Sequence, residues 1–322
     1  MKFFDTIKIW VAAVVWKTGL KYLRGKGLQK IWPFGFFYNA LSNMFQRHDW
    51  PESYIVDGHK MFVPPQFRYS YAIYKGSREQ PTRDFFAREI PRGTTVIDIG
   101  ANIGLHTLPF ARCVGPEGEV YAFEPGPQNV ALLEKNIAAN GYKNVHVIPK
   151  ALGDHSGAVT LYLSDLNPGD HRTYDPRRQL VESRVLTEED RKLQLDSTDV
   201  RKAVSVEMVT LDDFLKDYKR QVSFVKIDVQ GSEGAVVRGM RELIRKNPAI
   251  KLHFEFWAAG MRLFGTDPKE FLHELKAMGF RLYDTDDPAF IRHGELIELA
   301  PDELLRRCNK NESPDLFAKR MV

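Results

Sequence analysis

Cysteine is scarce in this chain: Cys113 and Cys308 are the only two in 322 residues. Their spacing makes neither a disulfide framework nor a metal-ligand set. That excludes a stapled secreted scaffold and a zinc module, and makes two reduced thiols in a cytoplasmic protein the expectation. Long apolar runs are also missing. The run Ile9–Trp16 is eight residues, closed by Lys8 and Lys17, whereas a spanning helix needs roughly 20. No small-residue cleavage site stands out after it, which argues against a secretory leader. Internal repeats and low-complexity segments are absent as well.

The body of the chain lacks a basic footprint. Net charge is +4, but residues 1–30 carry seven Lys and Arg against one acid, Asp5. All of the basic excess therefore sits in the first thirty residues, and the rest sums to −2. A near-neutral body argues against nucleic acid as a partner. Residues 1–50 read as a basic, aromatic, helical extension. A helix over 3–23 carries Trp10 and Trp16 among cations, and the aromatic stretch Trp32–Tyr38 follows. Two readings stay open for it: residues 1–40 lie peripherally in an anionic membrane interface, or the helix packs its apolar stripe on the domain.

What is present is an ordinary globular composition, 43% hydrophobic and 27% charged, enough for one large domain plus an appendage. From residue 94 strands and helices alternate. The pattern predicts strands at Thr94–Ile99, Glu119–Phe123, Asn144–Ile148, Val159–Leu163, Val222–Val229, Ile250–Phe256, Phe280–Tyr283 and Ile291–Leu299. Helices are expected over 104–113, 127–140, 233–246 and 268–278. Strands separated by helix-length segments mean a parallel sheet with crossovers. The expected domain spans 51–322. Its rhythm is interrupted by a long irregular, lid-like insertion over 164–205, in which Asn167–Arg172 places polar groups within reach of a substrate or forms a plain Pro-Gly turn.

The strongest chemical signal is Val96–Gly104, a strand running into a glycine turn that opens a helix. Gly100 and Gly104 let the backbone approach a ligand closely. Glu124 ends the next strand 20 residues past Gly104, where an acid accepts ribose hydroxyls. A dinucleotide fingerprint wants G-x-G-x-x-G, but Asn102 stands at the second glycine and the third is out of phase. Asp98 would oppose a pyrophosphate, whereas S-adenosylmethionine carries an ammonium and a sulfonium that a carboxylate favours. This charge logic separates a methyl donor from a nicotinamide.

On the other half of the sheet, Val225–Glu233 again runs from strand to helix. Asp228 stands at the carboxyl end, placed to accept a hydroxyl proton or to orient the acceptor. Glu233 is a first-turn acid, and Glu255 ends the following strand with His253 on the same face. A metal held by Asp228, Glu233, His253 and Glu255 is the weaker reading, because no recognisable ligand spacing joins them. No metal is expected.

The segments VIDIGANIGLHT, VYAFEPGPQNVALLEKNIAANG, VIPKALGD, VTLDDFL and VKIDVQGSEGAVVRGM, in this order, resemble the FkbM-type methyltransferases over roughly residues 54–300. The resemblance implies an α/β fold: the doubly wound, Rossmann-like class I methyltransferase sheet of seven strands with the last antiparallel. It implies S-adenosylmethionine as cofactor. It places Glu79, Asp98, Gly100, Asn102, Gly104, Glu124, Ala151 and Leu152 at the donor, and Asp228, Glu233 and Glu255 on the acceptor side. Arg78 stands where the family usually has a tyrosine before the Glu79 position. The implied activity is O-methylation of a saccharide, glycan or related metabolite. A donor-binding module without catalysis, and a methyltransferase of another small-molecule or lipid-linked acceptor, remain as alternatives.

Overall fold

A computed structural model describes residues 51–64, 79–164, 169–175, 201–308 and 313–320. The extension over residues 1–50, with its expected membrane contact through 1–40, lies outside them. Two units divide the chain, 1–79 and 80–322. In the first, strands β1 (Ser53–Val56) and β2 (His59–Phe62) pair antiparallel around Asp57–Gly58. Both turn residues have positive φ, 55° and 76°, the conformation an Asp-Gly hairpin turn supplies.

The second unit follows helix α1 (Glu79–Glu89) with β3 (Thr95–Ile99), α2 (Thr107–Val114), β4 (Glu119–Phe123), α3 (Pro127–Ala139) and β5 (Val145–Ile148). Next come β6 (Ala151–Leu152), β7 (Gly157–Leu163), β8 (Lys202–Val209), α4 (Leu211–Phe214) and β9 (Val222–Ile227). Helices α5 (Glu233–Arg238) and α6 (Arg241–Lys246) lead to β10 (Lys251–Glu255), then α7 (Ala258–Phe264), α8 (Pro268–Ala277) and β11 (Phe280–Asp284). The chain ends through α9 (Pro288–His293), α10 (Pro301–Cys308) and β12 (Asp315–Arg320).

The main sheet has the order β11-β12-β10-β9-β3-β4-β5. Its strands run parallel except β12, the last in the chain, which pairs antiparallel with both β10 and β11. This is the doubly wound class I methyltransferase sheet. Strand order reverses between β3 and β9, so a crevice opens at their carboxyl ends, where open α/β sheets bind ligands. Strands β3 and β9 are buried along their whole lengths, as central strands covered on both faces must be. One face carries Ile97, Ile99, Val225, Ile227 and the residues of α5, α6 and α8. The other packs Val96, Phe224 and Phe317 under Phe85, Phe86 and Phe110, with edge-to-face rings about 5 Å apart.

Three expectations are corrected. Ile291–Leu299 is not a strand. Pro288 at the first helical position, the Asp287 side chain accepting from Ala289 N at 2.8 Å and left-handed Gly294 close α9 instead. Only Glu298 bridges to Tyr283 in that stretch. The antiparallel strand is Asp315–Arg320, whose central apolar run of Leu316, Phe317 and Ala318 is too short to show periodicity. The helix expected over 233–246 is two, parted at Gly239, where a Cβ would stand 1.9 Å from the Gly153 carbonyl oxygen. The irregular insertion ends before Lys202, since β8 pairs along β7 and with β6 in a separate three-stranded sheet. Its residues 165–168 and 176–200 lie outside the described ones.

Candidate active site

The turn after β3 is shaped by three residues with positive φ. Gly100 (φ 76°) has its Cα so close to β9 that a Cβ would lie 1.9 Å from the Asp228 carbonyl oxygen. Gly104 (φ 97°) would place a Cβ 2.8 Å from Leu133 Cδ1. Asn102 is left-handed at φ 50°, which asparagine tolerates better than most residues, so it stands in for a glycine. The turn folds back on β4, with the Gly100 and Ala101 amides both donating to the Phe123 carbonyl at 3.0 Å.

Glu124 ends β4 at the floor of the crevice and is 4% exposed. Its Oε2 accepts from the Asn102 amide at 2.9 Å, and its Oε1 from the Gly126 amide at 2.8 Å and Asn129 Nδ2 at 3.3 Å. Burial outweighs these bonds and pushes its carboxyl up to about 7. The donor turn and the ribose-type acid are thus one hydrogen-bonded unit.

Asp98 lies beneath the turn, fully buried. Thr107 Oγ1 donates to its Oδ2 at 2.6 Å, while Oδ1 has no hydrogen-bond partner and stands 3.8 Å from Lys226 Nζ. Burial raises its carboxyl above the ordinary range, against the pull of Lys226 and Thr107. Sequence reasoning passed over Lys226, which faces inward from β9 in register with Asp98 and is 5% exposed. Its ammonium donates to the Gly100 carbonyl and to Asp228 Oδ2, both at 3.2 Å. Burial would lower its pKa, but the charges of Asp228 and Asp98 outweigh burial and raise it. A signal was available: lysine inside the apolar run Val222–Val229 must be paired if it is buried.

Asp228 keeps 37% of its side chain exposed and lines the cleft. Burial favours its neutral form, yet the Lys226 charge and the bonds from Gln230 and Lys226 hold its carboxyl below the usual range. Gln230, also missed from the sequence, bridges two acids: Nε2 donates to Asp228 Oδ1 at 2.8 Å and to Glu255 Oε2 at 2.9 Å. Burial, with Asp228, Glu233 and Asp315 nearby, pushes Glu255 up to about 9, so at neutral pH it holds a proton. Glu233 is fully buried and turned into its own loop, its Oε1 accepting from the Val229 and Gly231 amides at 3.2 and 3.1 Å. Burial raises it to about 7. Of the three acceptor-side acids, Asp228 alone lines the cleft.

His253 sits among aromatic rings. It lies 5.4 Å from the Phe86 ring, and its Nε2 is 3.3 Å from Thr285 Oγ1. Burial drops its pKa to about 3, leaving the ring neutral. No group of three His, Cys, Asp or Glu poised around a metal occurs among the described residues.

The cleft is lined by Gly100, Asn102, Glu124, Ala151, Leu152 and Asp228 among others. Ala151 and Leu152 form β6 and offer an apolar wall. Asp98, Gly104, Glu233 and Glu255 support the lining from behind. Glu79 opens α1, and its side chain lies outside the described residues.

The family profile of the methyltransferase FkbM domain matches residues 98–282, more than half of the chain. The chain belongs to the FkbM methyltransferase family. Within this FkbM domain are all the strand-end acids named above, Asp98, Glu124, Asp228 and Glu255. Among curated relatives, methyltransferase sdnD of Sordaria araneosa is 29% identical over 48% of this chain and 62% of its own length. Methyltransferase 1 of Beauveria bassiana is 27% identical over 47% of this chain and 59% of its own. The chain thus spans about three fifths of the length of these relatives. A solved S-adenosylmethionine-dependent O-methyltransferase from Thermotoga maritima shares 12% identity over 84% of this chain and 78% of its own. Its TM-score is 0.39, a likeness too slight to argue from.

The cofactor of the FkbM domain is S-adenosylmethionine, and the residues present fit it. A close-approach glycine turn, a buried carboxylate and an apolar wall at β6 converge on one cleft.

Proposed function

We propose that this chain transfers a methyl group from S-adenosylmethionine to a hydroxyl oxygen of a saccharide, glycan or related small-molecule acceptor. The observation that carries the reading is Asp228. It is the partly exposed carboxylate at the mouth of the cleft, held between Lys226 and Gln230 and directly against the Gly100 turn. When bound, the cofactor supplies an electrophilic methyl group on its sulfonium. Glu124 and the 100–104 turn would hold the ribose and methionine portions, and Asp228 would accept a hydrogen bond from the acceptor hydroxyl. Asp228 would take the hydroxyl proton, which becomes strongly acidic once the oxygen is alkylated. A carboxylate of low pKa suffices for that late transfer, so the ion pair with Lys226 is compatible with the role. In-line positioning supplies most of the remaining acceleration.

The near-neutral body supports a neutral acceptor. The test incubates the full chain and methyl-labelled cofactor with fractionated host extract, beside Asp228→Ala. Label entering a glycan, lipid or small-molecule fraction with wild type only, while both proteins bind S-adenosylhomocysteine alike, supports the reading. Label in RNA or protein, or none at all with cofactor binding intact, sinks it.

A further inference from the structure

Between β9 and α5, Gln230 is left-handed at φ 56°, a conformation uncommon for a side chain of its size. A residue held there persists only where its surroundings over-determine it, and such strain gathers at functional sites. Here those surroundings are explicit. The Glu233 carboxylate accepts from the amides on both sides of Gln230, those of Val229 and Gly231, at 3.2 and 3.1 Å. Ser232 Oγ donates to the Val229 carbonyl at 3.1 Å. Gly231 packs so closely that a Cβ there would stand 2.6 Å from the Gly260 carbonyl oxygen. The Gln230 carbonyl is held by a distant residue: the Tyr174 hydroxyl donates to it at 3.2 Å from 56 positions upstream.

Tyr174 belongs to the segment 169–175, which has no part in the chemistry above, although Gly169, His171 and Thr173 line the cofactor cleft. The segment is fastened along its length. The Asp170 carboxylate accepts from Arg172 Nε and Arg201 Nη2, each at 2.6 Å, and Arg172 exchanges backbone hydrogen bonds with Tyr162 at 2.8 and 3.1 Å. Tyr174 is buried against Leu263 and Phe264 of α7, with the Arg172 guanidinium 5.6 Å over its ring. Burial raises its hydroxyl above the usual range, so it remains a donor. Among the described residues Gln230 is its one hydrogen-bond partner. The Gln230 amide in turn spends its two protons on Asp228 and Glu255, at 2.8 and 2.9 Å. Where that amide stands depends on the backbone that carries it.

We propose that Tyr174 is a positioning residue for methyl transfer: by holding the Gln230 carbonyl it fixes the left-handed turn from which the Gln230 amide orients Asp228. This rests on Asp228 being the residue that takes up the acceptor's proton. The test uses the full chain, methyl-labelled cofactor and the acceptor fraction that takes up label. Tyr174→Phe removes one hydroxyl and keeps the packed ring. It should lower the transfer rate at saturating cofactor about three- to ten-fold, the worth of one hydrogen bond. S-adenosylhomocysteine affinity, by calorimetry, should stay within about two-fold of wild type. The acid limb of the rate profile should move to higher pH, because a slackened Gln230 donor no longer favours ionised Asp228. The charged and titratable groups facing Asp228 are Lys226 on its own strand, Asp98 on β3, His106 before α2, His253 and Glu255 on β10, and Glu233 at the start of α5. The substitutions used leave all of them in place. In a Gln230→Ala background, Tyr174→Phe should lower the rate by less than about two-fold further and move the limb no further. An unchanged rate, an unmoved limb, a loss that multiplies in the double variant, or cofactor affinity falling by the same factor overturns the proposal. A wild type that labels no glycan, lipid or small-molecule fraction, or an Asp228→Ala that labels as well as wild type, overturns the Asp228 reading and this assignment with it.

Discussion

Replacing Lys226 with methionine removes one buried cation while keeping the length of an unbranched side chain. Three groups lose their partner: Asp98, Asp228 and the Gly100 carbonyl. Asp228 is 37% exposed, so solvent screens much of its share. Asp98 is fully buried, with Thr107 as its remaining donor. Breaking a buried pair this way typically costs about 3–5 kcal/mol. A ceiling follows independently, because a stranded Asp98 escapes by taking a proton. From an ordinary value of 3.8, protonation costs about 4 kcal/mol at pH 7 and under 2 kcal/mol at pH 5, at about 1.36 kcal/mol per pH unit. A carboxyl whose folded pKa stands above its unfolded one destabilises at pH above the unfolded value, and the penalty fades as pH falls toward 3.8. Lys226→Met should therefore melt on the order of 10 °C below wild type at pH 7, with the gap shrinking by more than half at pH 5. Thermal unfolding followed by circular dichroism at both pH values checks this. A gap under about 2 °C at pH 7, or one that does not shrink on acidification, refutes the reasoning that Lys226 balances Asp98.

Further outcomes follow from the same geometry. Glu124 is pushed up to about 7 in the free protein, and a cationic, hydroxyl-bearing cofactor favours its ionised form. Binding should therefore tighten as pH rises from 6 to 8; calorimetry of Glu124→Gln should show a weaker affinity and lose that dependence. Gln230 donates to the ionised form of Asp228, so Gln230→Ala should raise the Asp228 pKa. The acid limb of the kcat/KM profile should then move to higher pH, whereas an unmoved limb would detach Asp228 from the proton transfer. Gly100→Ala forces a Cβ to 1.9 Å from the Asp228 carbonyl oxygen at φ 76°. Cofactor binding should fall below detection, and a variant that binds like wild type would contradict the close approach of turn and β9.

Asp98, Gly100, Asn102, Gly104 and Glu124 could be read directly because each lies within a strand-turn-helix unit, where spacing along the chain is spacing in space. The same holds for β3, β4 and β9, whose apolar runs are long enough to show their burial pattern. Contacts closed by distant segments were not legible. The apolar run around Lys226 calls for a partner but does not name it; only when β9 pairs with β3 does that partner become Asp98, 128 positions away in sequence. Gln230 acquires meaning only when β10 sets Glu255 beside it. His171 reaches the cleft only when the 169–175 segment folds against the end of β4. Strand β12 has too few apolar residues to announce itself, and its place between β10 and β11 depends on edges those strands leave open. Local sequence determines which elements form and where the backbone turns back tightly. Which buried charges meet, and hence which of Asp228, Glu233 and Glu255 faces the cleft, is decided by tertiary pairing, because electrostatic balance depends on separation in space.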